Sequence, residues 1–316
     1  VLDRFKHFTV APLSVNHKKR FVELWASLVS EISGLQNSAD IRKRLENLVC
    51  KERKVAKLCE NIFLLGLIAQ MFSFDRELPA YRTDVYRRAL ELMIGRQRKG
   101  QGLPLTVNEV YPYLEHLAYC MRLEGDQYWP ETRVIEAIEE VRRAEIKESD
   151  LQRRSPGEWL DAAINQLGIL NIAGPSRIDH RGYERRMIQF FHQSFQEYFA
   201  AQAIIHSRGD YNRSVSESGV GILEQLNQQV NRLNTVERKI ESFRSGIYTE
   251  PVAAGQWQEV VRFCISELSS YKELSSGLPN SNYVTADDAL LLLLPKKDAT
   301  SEKARALSVF ALQCLV

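Results

Sequence analysis

The chain has few cysteines, no long apolar run and almost no net charge, and each shortage argues against a class of protein. Its 316 residues include five cysteines, an odd and widely spaced set without any Cys-x-x-Cys pair. We therefore expect neither a disulfide framework nor a cysteine zinc site, and we expect a reducing, cytoplasmic compartment. The longest apolar run, residues 62–72, is far shorter than the ~20 residues of a membrane-spanning helix, so no membrane partner is expected.

Charge and motif content argue against two further functions. The 42 basic and 40 acidic residues leave a net charge of +2, too small to attract a nucleic acid or an anionic membrane. No Gly-x-x-x-x-Gly-Lys-Ser/Thr loop occurs, so the phosphate cradle and magnesium-binding hydroxyl of ATP-hydrolysing enzymes are missing. The apolar residues 289–295 lead into lysines and not into paired acids. We predict no catalytic residue, no metal site and no ATP hydrolysis by this chain alone.

Apolar residues at helical spacing fill most of the chain, which predicts a mainly α fold. In the first hundred residues, three such stripes predict a helical bundle. The first stripe comprises Phe21, Leu24, Trp25, Leu28 and Ile32. The second covers residues 58–72, and the third begins at Pro79, a residue suited to the first turn of a helix. Stripes at residues 223–243, 257–268 and 304–315 predict a C-terminal helical segment, compatible with the start of a repeat array.

The middle of the chain combines helix caps with two strand-like runs. Residues 106–109 read Thr-x-x-Glu, the spacing of a capping box, although Pro112 predicts a kink or a later start of that helix. Residues 155–168 form a second unit, with a serine cap, a proline opening and a glycine stop. Strand-like runs follow at residues 169–172 and 185–191. The order helix, helix, strand, loop, strand, helix predicts a winged-helix domain with a short β-hairpin.

The stretch FFHQSFQEYFAAQAI, residues 190–204, places His192 between a strand and a helix. Ser194 and Glu197 have capping-box spacing, which predicts that the helix begins at Ser194. His192 would then lie beside the positive end of a helix, where a phosphate is favoured. Glu197 would repel such an anion, so a phosphate would meet the imidazole more readily than the helix end. The alternative is a histidine that is hydrogen-bonded into a strand–helix corner.

Four segments of the sequence resemble the NACHT class of STAND nucleotide-switch proteins. The segment FFHQSFQEYFAA, residues 190–201, is similar to that family's winged-helix signature, an aromatic and a histidine followed by Ser-Phe-Gln-Glu-Tyr/Phe-Phe-Ala-Ala. Residues 77–96 resemble its Leu-Pro-x-x-Arg-x-x-Leu-Tyr helix, and residues 45–72 the helical segment before it. Residues 5–25 are similar to the passage that leaves the nucleotide-binding core. The resemblance covers roughly the first two-thirds of the chain, in the family's order.

The resemblance implies ADP or ATP as cofactor, with magnesium supplied by an upstream domain. In the family, the winged-helix histidine contacts the β-phosphate of bound ADP in the closed state, which gives His192 that role. Asn61 and Ile62 correspond to an Asn-Pro pair on the adenine side. Ile62 departs from the family there: it can offer the adenine an apolar surface but lacks the proline ring. The alternative is that Ile62 is a core residue.

The resemblance also implies a domain organisation and partners. The chain is then a fragment that begins downstream of the P-loop. Residues 1–14 are the tail of a nucleotide-binding core, residues 15–98 a helical domain, residues 99–205 the winged helix and residues 206–316 a C-terminal helical domain. The expected partners are the upstream P-loop domain of the same polypeptide and, on activation, further copies of the protein. The function implied is an ATP/ADP-dependent switch in signal transduction or defence, such as innate immunity.

Two other functions stay open at this point. A winged-helix nucleic-acid-binding protein would use a basic wing, but residues 155–168, in the place of its recognition helix, contain two acids and no cation. The wing residues are Arg177, His180, Arg181, Arg185 and Arg186. A helical interaction scaffold would explain the C-terminal helices but not the His192 signature. The remaining histidines are interpreted as surface or packing residues, and the acids of residues 138–150 as a solvated helix face.

Overall fold

A computed structural model describes residues 11–33, 38–74, 82–96, 104–145, 149–173, 177–178, 184–206, 257 and 259–267. The chain divides into two compact units, Val1–Ala89 and Leu90–Val316. The expected division into four parts, at residues 1–14, 15–98, 99–205 and 206–316, stays a prediction. Pro79, the helix expected at residues 223–243 and the one at residues 304–315 lie outside the described residues.

Helices account for the described part of the first unit. They are α1 (Val15–Ser33), α2 (Ser38–Lys51), α3 (Arg53–Leu58) and α4 (Ile62–Phe74), and α5 (Arg82–Gly95) crosses the boundary between the units. The second unit contains α6 (Val107–Glu124), α7 (Glu131–Ala144), α8 (Pro156–Ala162) and α9 (Gln193–Ile205), and its short strands are β1 (Tyr128–Pro130), β2 (Leu170–Ile172), β3 (Arg177–Ile178), β4 (Glu184–Arg185) and β5 (Met187–Phe190). The predicted mainly α class is confirmed.

The buried face of α1 differs from the predicted stripe. Leu24 and Leu28, two members of that stripe, are 58% and 47% exposed, whereas Val22 and Ala26 are buried. The buried face of α1, which packs on α2 and α4, is therefore rotated from the predicted stripe towards Val22 and Ala26. The second stripe is also interrupted, since residues 59–61 form a turn between α3 and α4.

Local capping signals in the second unit are confirmed. Thr106 and Glu109 form a reciprocal capping box at the start of α6, and Ser155 and Glu158 form another at the start of α8. Pro112 lies inside α6 and does not move its start, which is at residue 107. After α8 the chain makes one π-helical turn and ends at Gly168, whose φ of 70° is the left-handed conformation that glycine tolerates.

A three-stranded antiparallel sheet has the order β1-β5-β2. Leu170 of β2 lies opposite Phe190 of β5, so the expected hairpin is present. The sequence did not predict β1, whose three residues are too few for a periodic pattern; its Trp129 pairs with Ile188. A separate two-stranded ladder joins β3 and β4. The end of β5 brings the chain directly to His192.

α6 and α9 pack along each other at the centre of the second unit, and a further helix covers them. Residues 257 and 259–267 are helical, within the helix expected at residues 257–268. The Trp257 ring lies 5.9 Å from that of Tyr119, and the Phe263 ring lies 5.9 Å from that of Tyr198. These contacts join the helix to both α6 and α9.

No helix within the described ranges is long and apolar enough to cross a bilayer.

Candidate functional site

His192 is the N-cap of α9, two residues before the predicted cap at Ser194, and the helix begins at Gln193. Its Nδ1 accepts a hydrogen bond from the backbone N–H of Ser194 at 3.2 Å and lies 2.6 Å from the Ser194 hydroxyl oxygen. Nδ1 stands three bonds from Cα, like the side-chain oxygen of asparagine, so it can take the place of that common capping acceptor. The predicted cap at Ser194 is therefore wrong.

Glu197 does not complete a capping box but forms a buried ion pair with α6. Its carboxylate lies 3.0 Å from the Arg122 guanidinium, the two side chains being 8% and 3% exposed, and it also accepts from the Gln193 amide at 3.0 Å. Burial lowers the pKa of Arg122, and the Glu197 charge opposes that shift. The expected repulsion of an anion by Glu197 is weakened, because Arg122 pairs with the carboxylate and the first turn of α9 contains no acid.

The protonation state of His192 follows from its burial and its cap. Half-burial lowers the pKa of the imidazole by desolvation. With Nδ1 as an acceptor, the neutral ring carries its proton on Nε2 and can donate a hydrogen bond from there. Protonation would turn Nδ1 into a donor and remove the cap. A neutral imidazole donor at the start of a helix is suited to an anionic oxygen.

Aromatic residues hold the corner in which His192 lies. The Phe191 ring is 4.9 Å from that of Phe195 and 6.5 Å from the imidazole. The Phe191 N–H donates to the Ile169 carbonyl at 3.0 Å, which ties the start of α9 to the residue before β2. His192 thus has the structural role that the alternative interpretation expected, and this role orients the donor at Nε2.

Asn61 and Ile62 lie at the start of α4, in the first unit. The Asn61 side-chain oxygen accepts from the backbone N–H groups of Phe63 and Leu64, at 2.8 and 3.3 Å, and so caps the helix. Ile62 is the first residue of α4 and is 54% exposed. The interpretation of Ile62 as a core residue is wrong. Its exposed apolar surface agrees with a ligand contact, which stays a prediction.

The basic wing loses one of its cations to an ion pair. Arg186 donates to the Glu131 carboxylate from Nε at 2.8 Å and from Nη2, and Nη2 also lies 3.5 Å from Asp161. The same hydrogen bonds lower the pKa of Glu131. The side chains of the other four wing residues lie outside the described set. Arg186 is therefore committed to carboxylates and not to a phosphate backbone.

Two histidine–carboxylate pairs were not predicted from the sequence. His116 Nε2 lies 3.0 Å from Glu140 on α7, and His206 Nδ1 lies 2.9 Å from Glu115 on α6. The partners are 24 and 91 residues apart, so no spacing rule could have joined them. Glu140 is half-buried and its pKa is lowered chiefly by His116, which corrects the interpretation of residues 138–150 as a solvated face. Among the described residues, no group of three or more His, Cys, Asp or Glu could hold a metal ion.

Neither a model of a known protein family nor a curated protein sequence matches the chain. The family resemblance therefore depends on the quoted motifs, and the roles that it implies stay predictions.

Replacement of His192 tests the cap directly. His192→Ala removes the acceptor of the Ser194 N–H and is expected to lower the free energy of unfolding of the second unit by about 1 kcal/mol. His192→Asn supplies an equivalent oxygen and should cost no more than a few tenths of that value. Urea unfolding followed by tryptophan fluorescence measures both, since Trp129, Trp159 and Trp257 all lie in the second unit.

The pH dependence of that stability has a definite sign. The pKa of His192 in the folded protein is below the value of about 6.5 that an unfolded chain shows. Its contribution to stability is therefore complete above that pH and is lost as the pH falls towards the folded pKa. His192→Asn should flatten this part of the profile. Equal losses of unfolding free energy for His192→Ala and His192→Asn at pH 7.5 would contradict the capping role. An unchanged dependence of stability on pH in His192→Asn would also contradict it.

Proposed function

We propose that the chain is the regulatory part of an adenine-nucleotide switch of the NACHT type, in which His192 detects the phosphate of bound nucleotide. The parent protein then includes an upstream P-loop domain that holds ADP or ATP with magnesium, acts in the cytoplasm in signalling or defence, and self-associates on activation. No catalytic role is proposed for residues 1–316. The observation that carries the proposal is the capping geometry of His192.

Three features of the corner support an anion at His192. The cap through Nδ1 directs the proton to Nε2, so the neutral ring is a donor at physiological pH. The first turn of α9 contains no acid, and the nearest carboxylate of the helix, Glu197, is paired with Arg122. The N-terminus of α9 adds the positive end of a helix dipole. Each feature favours a phosphate oxygen over water.

The size of this contact limits what it can do alone. A hydrogen bond from the imidazole to a charged phosphate contributes about 1.5–3 kcal/mol. Moving a two-state equilibrium from one extreme to the other takes about 5.5 kcal/mol of differential affinity. His192 would therefore bias the switch towards the ADP state, and packing between domains of the parent protein must supply the remainder.

The test measures nucleotide carried by the complete gene product that contains this chain. The protein is purified from cells and denatured, and the released ADP and ATP are quantified by chromatography. We expect about one ADP per chain for the unmodified protein. His192→Asn retains the cap but removes the imidazole donor, and is expected to lower the retained ADP or speed its exchange at least tenfold, with unfolding free energy unchanged.

The comparison with His192→Ala separates a ligand role from a folding role. If both variants lose nucleotide while only His192→Ala loses stability, the imidazole acts on the nucleotide. If only the destabilised His192→Ala variant loses nucleotide and His192→Asn retains ADP, the residue is a cap only and the proposal is wrong. Absence of nucleotide from the unmodified protein would also overturn it.

Ile62 provides a second arm of the same experiment. Because its side chain is 54% exposed, Ile62→Ser should leave the stability of the first unit nearly unchanged. A weaker retention of ADP in this variant would support the adenine contact that the resemblance implies. Unchanged retention would remove Ile62 from the proposed site.

A further inference from the structure

A cluster of a thiol, an imidazole and a carboxylate lies between α6 and α7, away from His192. Cys120 Sγ lies 3.7 Å from both ring nitrogens of His116, one turn earlier on α6. His116 Nε2 lies 3.0 Å from Glu140 Oε2 on α7. Glu140 is in turn 3.4 Å from Arg133, whose guanidinium also pairs with Glu124. The cluster therefore includes a nucleophile, a base and a group that orients the base.

The hydrogen bonds define the direction of proton movement. The neutral His116 ring donates from Nε2 to Glu140, which leaves Nδ1 as the nitrogen that can accept a proton from Cys120. Ionised Glu140 stabilises the imidazolium that results, and its pKa is lowered by the His116 hydrogen bond. Transfer of the proton from sulfur to imidazole leaves the net charge of the cluster unchanged. A nucleophile beside a base that a third group orients is the arrangement of an activated thiol.

The other described cysteines differ from Cys120 in their surroundings. Cys59 and Cys264 are buried, and burial raises the pKa of Cys59 to about 12 and that of Cys264 further. Cys50 is half-buried like Cys120, but burial and then the Glu46 carboxylate raise its pKa. Cys120 combines partial access with an imidazole 3.7 Å from its sulfur, a neighbour that can accept the thiol proton.

We propose that Cys120, His116 and Glu140 form a reactive-thiol site that is modified covalently by small carbon electrophiles. The thiol proton passes to His116 Nδ1, the thiolate attacks the electrophilic carbon and the leaving group departs with the bonding electron pair. With iodoacetamide as the probe, a sulfur–carbon bond forms, a carbon–iodine bond breaks and iodide leaves. No oxidant or cofactor is required, and the site is independent of the nucleotide proposal.

The test compares the alkylation rates of individual cysteines in the intact chain. Iodoacetamide is added for increasing times, and peptide mass spectrometry gives a rate for each residue. At pH 7 we expect Cys120 to react at least tenfold faster than Cys50, its match in exposure. His116→Gln should slow Cys120 at least tenfold and leave Cys50 unchanged. Cys264 reports the fold of the second unit, because its buried thiol stays unlabelled while that unit is folded.

A pH series on the unmodified chain decides the matter even if the variant fails to fold. The titratable and charged groups that this chain of contacts connects to Cys120 are His116, Glu140, Arg133 and Glu124. The rate of an ordinary thiol rises roughly tenfold per pH unit below its pKa near 8.5. Cys50 should rise in this way between pH 6 and 8, whereas Cys120 should change less than about threefold because His116 accepts its proton within the cluster. A Cys120 profile parallel to that of Cys50, or a rate no faster, would overturn the proposal.

Discussion

Arg122→Met is expected to destabilise the second unit by about 3–5 kcal/mol, because it leaves the buried Glu197 carboxylate without its cation. The pair lies between the two helices that pack most extensively, α6 and α9, and both side chains are almost inaccessible to water. The buried carboxylate would have to remain charged in a poor solvent or take up a proton. Urea unfolding followed by tryptophan fluorescence measures the loss.

A double substitution distinguishes the ion pair from simple packing. Arg122→Met together with Glu197→Met removes both charges while retaining apolar volume, and should recover at least half of the single-variant loss. The single variant Glu197→Gln, which retains hydrogen-bonding atoms, should cost less than Glu197→Ala. Losses that add without recovery in the double variant would show that the two charges are not coupled.

Phe263→Ala is expected to cost about 3–5 kcal/mol, the usual loss when a buried phenylalanine is truncated. Its ring is fully buried and lies 5.9 Å from Tyr198 of α9. One residue later, the Cys264 thiol contacts the Ala201 carbonyl of α9 at 3.7 Å. The substitution should therefore weaken the attachment of residues 259–267 to α9, the helix that His192 caps.

Alkylation of Cys264 gives a local readout of that attachment. Burial raises the pKa of this thiol and shields it in the unmodified chain. We expect Phe263→Ala to speed its reaction with iodoacetamide at least tenfold, whereas Phe263→Leu, which retains most of the volume, should change it little. If Cys264 stays protected in the alanine variant while global stability falls, the helix does not open locally and the coupling to α9 is not of this kind.

Local hydrogen bonds made much of the second unit predictable. The boxes at residues 106–109 and 155–158 and the stop at Gly168 each involve groups within five positions of one another, so sequence spacing alone identifies them. Helical periodicity likewise predicted the mainly α class, and the β2–β5 pairing followed from two apolar runs around a polar loop. The position of His192 between a strand and a helix was also predicted correctly.

The sequence alone therefore determined the class of the fold, two caps, one stop and the strand–helix corner, because these depend on groups close together in the chain. The tertiary structure decided what Glu197 does, because its partner Arg122 lies 75 positions away. It also decided the buried face of α1, the strand β1 and the pairing of His116 with Glu140. Each of these depends on which distant surfaces meet, and the partners that meet there shift the pKa of a carboxylate, as His116 lowers that of Glu140.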